Sequence, residues 1–328
     1  MFEGKKILIT GGTGSWGHEL VRQLLTKNPQ QLVVYSRNEA SQVAMSRMYD
    51  DSRLSFCIGD IRDKEALSDA CAGMDYIYHL AALKHVPVCE DQPYEALKTN
   101  VNGTANVIEV ALEHHVEKVI YISTDKAANA SNFYGMTKSL GEKLIVHANT
   151  LQSDTKFICV RGGNVLGTNG SVISLFMNQI KNKQEIGITD LNMTRFFLTM
   201  EEAIQLLFKA SEVALGGEIF VMVMPACRII DLADVLAQAL GVNHYSIREL
   251  GARPGEKIHE ILYTEYESDS TFEYDDDYLV ILPTLDIPGL KSAYQKYRRV
   301  KKQLYSSADC LMSKKEIRQM LIKGGFLP

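Results

Sequence analysis

The densest run of reactive side chains lies at residues 121–143, Y-I-S-T-D-K-A-A-N-A-S-N-F-Y-G-M-T-K-S-L-G-E-K. The apolar residues 119–122 read as a buried strand that ends in Ser123, Thr124, Asp125 and Lys126. A parallel sheet presents its carboxyl edge at such a point, and ligands of open α/β sheets collect there. After a loop carrying Asn129 and Asn132, Tyr134 and Lys138 stand four apart in a helical pattern, so both project from one face. A nearby ammonium favours phenolate over phenol, which lowers a tyrosine from about 10 toward the range useful to a general base. Asp125 and Lys126 set a carboxyl beside an amine. To act as a base Lys126 must spend time neutral, which desolvation and the charge of Lys138 favour. To act as an acid Asp125 must hold a proton, which burial favours and a charged Lys126 opposes, so the two are expected to titrate as a pair.

Placing that stretch requires a scaffold, and the amino-terminal residues supply its pattern. Residues 5–10 read as a buried strand, followed by T-G-G-T-G-S-W-G, with Gly11, Gly14 and Gly17 at G-x-x-G-x-x-G spacing around Thr13, Ser15 and Trp16. A helix pattern follows at 18–25. Glycines there permit a tight turn and close backbone approach to a pyrophosphate, whose charge suits the free N–H groups at the helix start. The second strand, 31–35, ends in Ser36-Arg37 rather than in an acid that would bind a free ribose 2′-hydroxyl. That pair suits a 2′-phosphate, and Arg37 can also lie flat over an adenine, which points to NADP ahead of NAD. A third strand leads to Asp60 and Ile61, and the fourth, 76–80, to the small residues Ala81 and Ala82.

With its strand-end Ser-Thr, the Tyr-x-x-x-Lys pair and the glycine loop, the chain resembles the extended short-chain dehydrogenase/reductase family. Within it, S-T-D-K-A-A-N…N-x-Y-G-x-T-K is similar to the inverting UDP-N-acetylglucosamine 4,6-dehydratases that begin pseudaminic-acid synthesis. Lys126 carries that distinction, because the retaining sugar-nucleotide dehydratases have Asp-Glu where this chain has Asp125-Lys126. The resemblance implies catalytic roles for Thr124, Asp125, Lys126, Tyr134 and Lys138. It places Asp60 and Ile61 at the adenine ring. Ala81, Ala82 and Lys84 fall along the cofactor, and Lys84 and His85 beside the sugar, where a solvated basic loop is the alternative. In R-G-G-N-V-L-G the family usually has an aromatic residue just before the Gly-Asn, where this chain has Gly162. Asn164, the helix start at Val172, Thr189, Arg195 as a diphosphate ligand, and Arg253 and Glu256 in G-A-R-P-G-E-K-I-H-E complete the implied UDP-sugar site.

Bulk properties agree with a metabolic enzyme. The chain has 328 residues, 46% of them hydrophobic, and a net charge of -5, which leaves no basic face for nucleic acid. No apolar span or leader pattern predicts a membrane or secreted protein, and six dispersed cysteines fit reduced thiols in a cytoplasmic one. Histidine spacing predicts no metal. The reading is therefore a doubly wound parallel α/β sheet of Rossmann type over 1–166, then a smaller carboxyl-terminal substrate lobe over 167–328, interleaved with the first domain around 195–230. The acidic segment 265–277 is expected to be exposed. Three further readings stay open: a dehydratase performing part of the reaction, a 4-epimerase or reductase, and a non-catalytic NADP-sensing regulator. The family also implies a homo-oligomer, a dimer or higher.

Overall fold

The computed structural model describes every residue except 152, 169 and 184. Alternation of strand and helix begins at once: β1 (Lys6–Thr10), α1 (Ser15–Leu25), β2 (Gln31–Ser36), α2 (Glu39–Tyr49), β3 (Leu54–Ile58), α3 (Lys64–Cys71) and β4 (Tyr76–His79). Short helices α4 (Val86–Asp91) and α5 (Pro93–Leu97) and a π-helical turn at Lys98–Asn102 lead into α6 (Gly103–Glu113). Then come β5 (Lys118–Thr124), α7 (Phe133–Ala148) and β6 (Lys156–Gly162). The strands are unbroken apolar runs because helices cover both sheet faces. Helix α1 shows the complementary pattern, burying Gly17, Leu20, Val21 and Leu24 at helical spacing. β1 pairs in parallel with β2 on one side and β4 on the other, so the winding reverses at the β1 edge. A crevice opens at the carboxyl ends of strands at such a reversal.

Beyond β6 the chain crosses repeatedly between two cores. β7 (Asn164–Val165), α8 (Val172–Lys181), β8 (Ile186–Ile188) and β9 (Thr194–Leu198) precede α9 (Met200–Val213), β10 (Ile219–Met222), β11 (Ala226–Arg228) and α10 (Ile229–Ala239). A second apolar cluster, with Phe176, Ile188, Phe197, Leu232, Leu236 and Leu321 among its members, forms the smaller lobe. β10 pairs in parallel with β6 and returns the chain to the main sheet. Three antiparallel strands, Tyr278–Ile281, Thr271–Glu273 and Arg298–Arg299, then bring that sheet to ten strands among the described residues. Return to the first core thus runs well past the expected 195–230.

The segment 265–277 is exposed at Glu265, Asp269, Asp275, Asp276 and Asp277, as its acidity suggests, but Ser268, Thr271 and Phe272 are buried. Its Glu267 has a partner. Arg161, at the end of β6 and 1% exposed, donates to Glu142 of α7 at 3.0 and 2.7 Å, to Glu267 at 3.1 and 3.0 Å, and to the Leu262 carbonyl at 2.7 Å. This buried triad fastens the carboxyl-terminal segment to the helix that carries Tyr134 and Lys138. No helix among the described residues is long and apolar enough to cross a membrane.

Candidate active site

The crevice at the β1 edge is a cavity of about 570 Å³. Its floor is the turn between β1 and α1. Gly11 has φ +69°, and a Cβ there would sit 2.7 Å from the Ala81 backbone; one on Gly17 would sit 2.0 Å from the Gly12 carbonyl oxygen. Glycine is therefore required for β1, α1 and the end of β4 to close around the crevice. Helix α1 begins at Gly14 with no side-chain cap, which leaves its first N–H groups for an anion. Thr13, Ser15 and Trp16 line the same wall. Ser36, Arg37, Asp60 and Ile61 line one end, and Ala81, Ala82, Lys84, His85, Thr124, Lys126, Tyr134, Lys138 and Asn164 the remainder. These residues fit a nicotinamide dinucleotide: a glycine cradle, an uncapped helix start, and an arginine at the ribose end.

The proton-transfer groups meet because three local features bring them together. Asn132 caps α7 by accepting from the Gly135 N–H, and the α7 entry lies against the end of β5. A Cβ on Gly135 would approach the Lys126 carbonyl oxygen to 2.3 Å, so only glycine lets that first turn pack so closely. Asn100 ties the β4 loop down, accepting from the Leu83 N–H at 2.8 Å and donating to the Leu83 carbonyl and Thr137. Asn100 lies in the π-helical turn Lys98–Asn102.

Charges around these groups depart from the sequence reading. Burial pushes the Tyr134 phenol up to about 12, with Lys126 the main opposing charge. Lys138, expected to be that charge, donates to the Ile122 carbonyl and lies 3.9 Å from the Tyr121 ring centroid. Burial brings its ammonium down to about 7. Lys126 was expected to be made neutral by desolvation and by Lys138. Burial does pull it down, but Asp125 and Glu260 outweigh that and raise it above the usual lysine value. Its amine donates to Asp125 Oδ1 at 2.9 Å and stands 3.1 Å from Glu260 Oε1. Asp125 is fully buried behind Lys126, and burial pushes its carboxyl up against the pull of that amine.

The smaller lobe presents its predicted residues unequally. A Cβ on Gly170 would lie 3.6 Å from the His85 ring, so the loop before α8 meets the basic loop at the cavity. Val172 opens α8, and Thr189 follows β8 at a bend. The Gly255 carbonyl accepts from Ser131 at 2.8 Å and Asn132 at 3.0 Å, binding the R-P-G-E-K turn to the α7 entry. Arg253 on that turn is exposed, and Glu256 lies 3.7 Å from Arg195. Arg195, read as a diphosphate ligand, is 6% exposed and donates to the Thr194 and Ile258 carbonyls, with its Nε 3.6 Å from Glu260. It does not line the cavity.

A family model described as polysaccharide biosynthesis protein matches residues 7–282. The chain belongs to the polysaccharide biosynthesis protein family. A relative in Campylobacter jejuni, named UDP-N-acetylglucosamine 4,6-dehydratase (inverting), is 40% identical over 94% of each chain. Another in Rickettsia prowazekii, named UDP-glucose 4-epimerase, is 42% identical over 80% of this chain and 78% of its own. The solved structure of Pen from Bacillus thuringiensis superposes with a TM-score of 0.90 at 38% identity, covering 98% of this chain and 99% of that one. This member of the polysaccharide biosynthesis protein family is thus an extended short-chain dehydrogenase/reductase in sequence and fold.

Two features of the family member escaped the sequence reading. Glu260 stood in the quoted G-A-R-P-G-E-K-I-H-E motif without a role, and no local spacing distinguishes it from Glu256. The missing aromatic at Gly162 has a counterpart: a Cβ there would lie 3.9 Å from the ring of Trp16, which comes from the glycine loop.

Proposed function

We propose that the protein is an inverting UDP-N-acetylglucosamine 4,6-dehydratase that uses NADP and serves nucleotide-sugar synthesis for a surface glycan. The observation that carries this reading is Lys126, an amine on the cavity wall within 2.9 Å of a fully buried carboxyl, where retaining enzymes have Asp-Glu. NADP is favoured because Arg37 lines the ribose end and no acid stands at the end of β2 to repel a 2′-phosphate.

A bound nicotinamide would supply hydride transfer, out of carbon 4 of the sugar and back into carbon 6. The glycine turn and the start of α1 would hold its pyrophosphate, and Lys138 and Tyr134 its reactive end. Tyr134, as the phenolate that the charge of Lys126 favours, accepts the proton of the 4-hydroxyl. The resulting ketone acidifies the hydrogen on carbon 5, which Lys126 removes once it has passed its own proton to Asp125, 2.9 Å away. Asp125 gives its proton to the departing 6-hydroxyl, which leaves as water. Carbon 5 is then reprotonated on the opposite face. Overall the 4-hydroxyl proton and the 6-hydroxyl are lost as one water. Lys84, His85 and Asn164 border the sugar, and Arg253 and Glu256 the uridine diphosphate, while Arg195 contributes through Glu256 and Glu260.

The name of the Rickettsia relative raises a 4-epimerase reading. An epimerase needs Tyr134 and Lys138 but has no use for an amine and an acid directed at carbons 5 and 6. Mass spectrometry after incubation with UDP-N-acetylglucosamine separates the two: a product lighter by one water is expected, and an unchanged mass refutes the dehydratase reading.

A further inference from the structure

Lys126 is held by two carboxyls far apart in the sequence. Asp125 precedes it just after β5, whereas Glu260 lies immediately before the strand Ile261–Tyr263. Glu260 is fixed in place, since its N–H donates to Ser307 Oγ at 2.9 Å and its carbonyl accepts from the Ser307 N–H at 2.9 Å. Its side chain is 3% exposed and, like that of Asp125, does not line the cavity; it contacts Lys126, which does. The outer oxygens of both carboxyls, Asp125 Oδ2 and Glu260 Oε2, are buried without a hydrogen-bond partner.

The surrounding charges pair off unequally. Arg195 stands 3.7 Å from Glu256 and 3.6 Å from Glu260, and Lys126 stands 3.1 Å from Glu260. Lys257 points its amine at the Ala128 carbonyl at 2.7 Å. His259 bonds to Thr194, and Tyr134 faces the same group from α7. Arg195 thus stands between Glu256 and Glu260, and the amine of Lys126 is shared by two carboxyls, Asp125 at 2.9 Å and Glu260 at 3.1 Å. A buried ammonium robbed of every anion is strongly disfavoured. With Asp125 as its sole partner, Lys126 would force that carboxyl to stay ionised.

We infer that Glu260 is a positioning residue for the proton transfers at carbons 5 and 6: it shares the charge of Lys126 with Asp125, and so lets Asp125 take, hold and release a proton. This rests on the dehydratase reading above. The environments push the two carboxyls apart, as they do where one acid and one base are set side by side. Burial raises Asp125, with Glu260 adding to the rise and Lys126 opposing it. Burial would raise Glu260 too, but Lys126 and Arg195 outweigh it and hold that carboxyl below its usual value.

Glu260→Gln and Glu260→Asp in the full chain test the inference. In Glu260→Gln, kcat should fall about tenfold or more, the lower end for a disturbed acid–base group, with KM for UDP-N-acetylglucosamine close to the unmutated value. The alkaline limb of the kcat profile should move to lower pH, because Asp125, the acid, loses its proton more easily without the Glu260 charge. Glu260→Asp, which keeps the charge, should move the limb back. An unmoved limb in Glu260→Gln, or an Asp variant indistinguishable from the Gln one, overturns the inference. NMR of the carboxyl carbons of the unmutated protein gives a readout free of substrate and of folding defects, with Asp125 and Glu260 assigned by difference from Asp125→Asn and Glu260→Asp. Asp125 should titrate above the ordinary aspartate range and Glu260 below the glutamate range; the reverse order overturns it. If the unmutated protein leaves UDP-N-acetylglucosamine intact, the dehydratase reading fails while the NMR result still decides the Glu260 assignment.

Discussion

At the scale of single residues, chemistry here is set by what burial does to charge. Lys138 is the clearest case: 3% exposed, with its ammonium brought down to about 7. In the unfolded chain a lysine titrates near 10.4. Between those values the unfolded state binds the extra proton, so the folded state loses stability as pH falls through that window, by at most about 1.4 kcal/mol per pH unit, and the loss levels off below about 7. Lys138→Met removes the titration. Its advantage in Tm over the unmutated, cofactor-free protein should grow from pH 10 to pH 7 and then stay constant; a difference independent of pH would show that Lys138 stays charged when folded. Tyr134→Phe removes one oxygen and little volume, so Tm should hold while kcat drops about a hundredfold or more. Near-normal turnover would take Tyr134 out of the mechanism. Tyr134, Lys138, Asp125 and Lys126 were legible in the sequence because each pair is local, four apart on a helix or adjacent at a strand end. Glu260 was not, because it meets Lys126 only through the fold.

Elements hold these residues by two devices, one local and one distant. The local one, glycine and asparagine at the entry to α7, was half visible: Asn132 and Gly135 sit in the quoted motif, but the approach of Gly135 to the Lys126 carbonyl appears only when β5 and α7 pack. The distant one, Arg161 between Glu142 and Glu267, was invisible, since its partners lie 19 and 106 positions away. The acidity of residues 265–277 suggested solvent, whereas Glu267 serves a buried guanidinium. Arg161→Ala leaves two carboxylates beside a cavity, and breaking a buried pair on one side costs about 3–5 kcal/mol. A large drop in Tm and in the denaturant midpoint is expected, and a Tm unchanged within error would show that the triad does not hold the carboxyl-terminal segment to α7.

At the scale of the whole molecule, the first six strands and the crevice at the β1 edge were readable because a parallel sheet writes apolar runs and glycine turns into its sequence. The second half was less readable, since short strands of two to five residues and repeated crossings between cores leave little periodicity. Cofactor choice belongs to this scale, because Arg37 and Asp60 come from different strand ends and stand 3.7 Å apart. Arg37→Asp should weaken NADP binding by calorimetry and improve NAD binding relative to it; unchanged NADP affinity would show that Arg37 does not read the 2′-phosphate. The central claim, that Lys126 inverts carbon 5 during dehydration, is tested most directly by running the reaction in heavy water and taking NMR spectra of the fresh product. One deuterium at carbon 5 in the L-arabino configuration is predicted, with that exchange lost in Lys126→Ala while cofactor binding is retained. A D-xylo configuration at carbon 5 from the unmutated protein would contradict it.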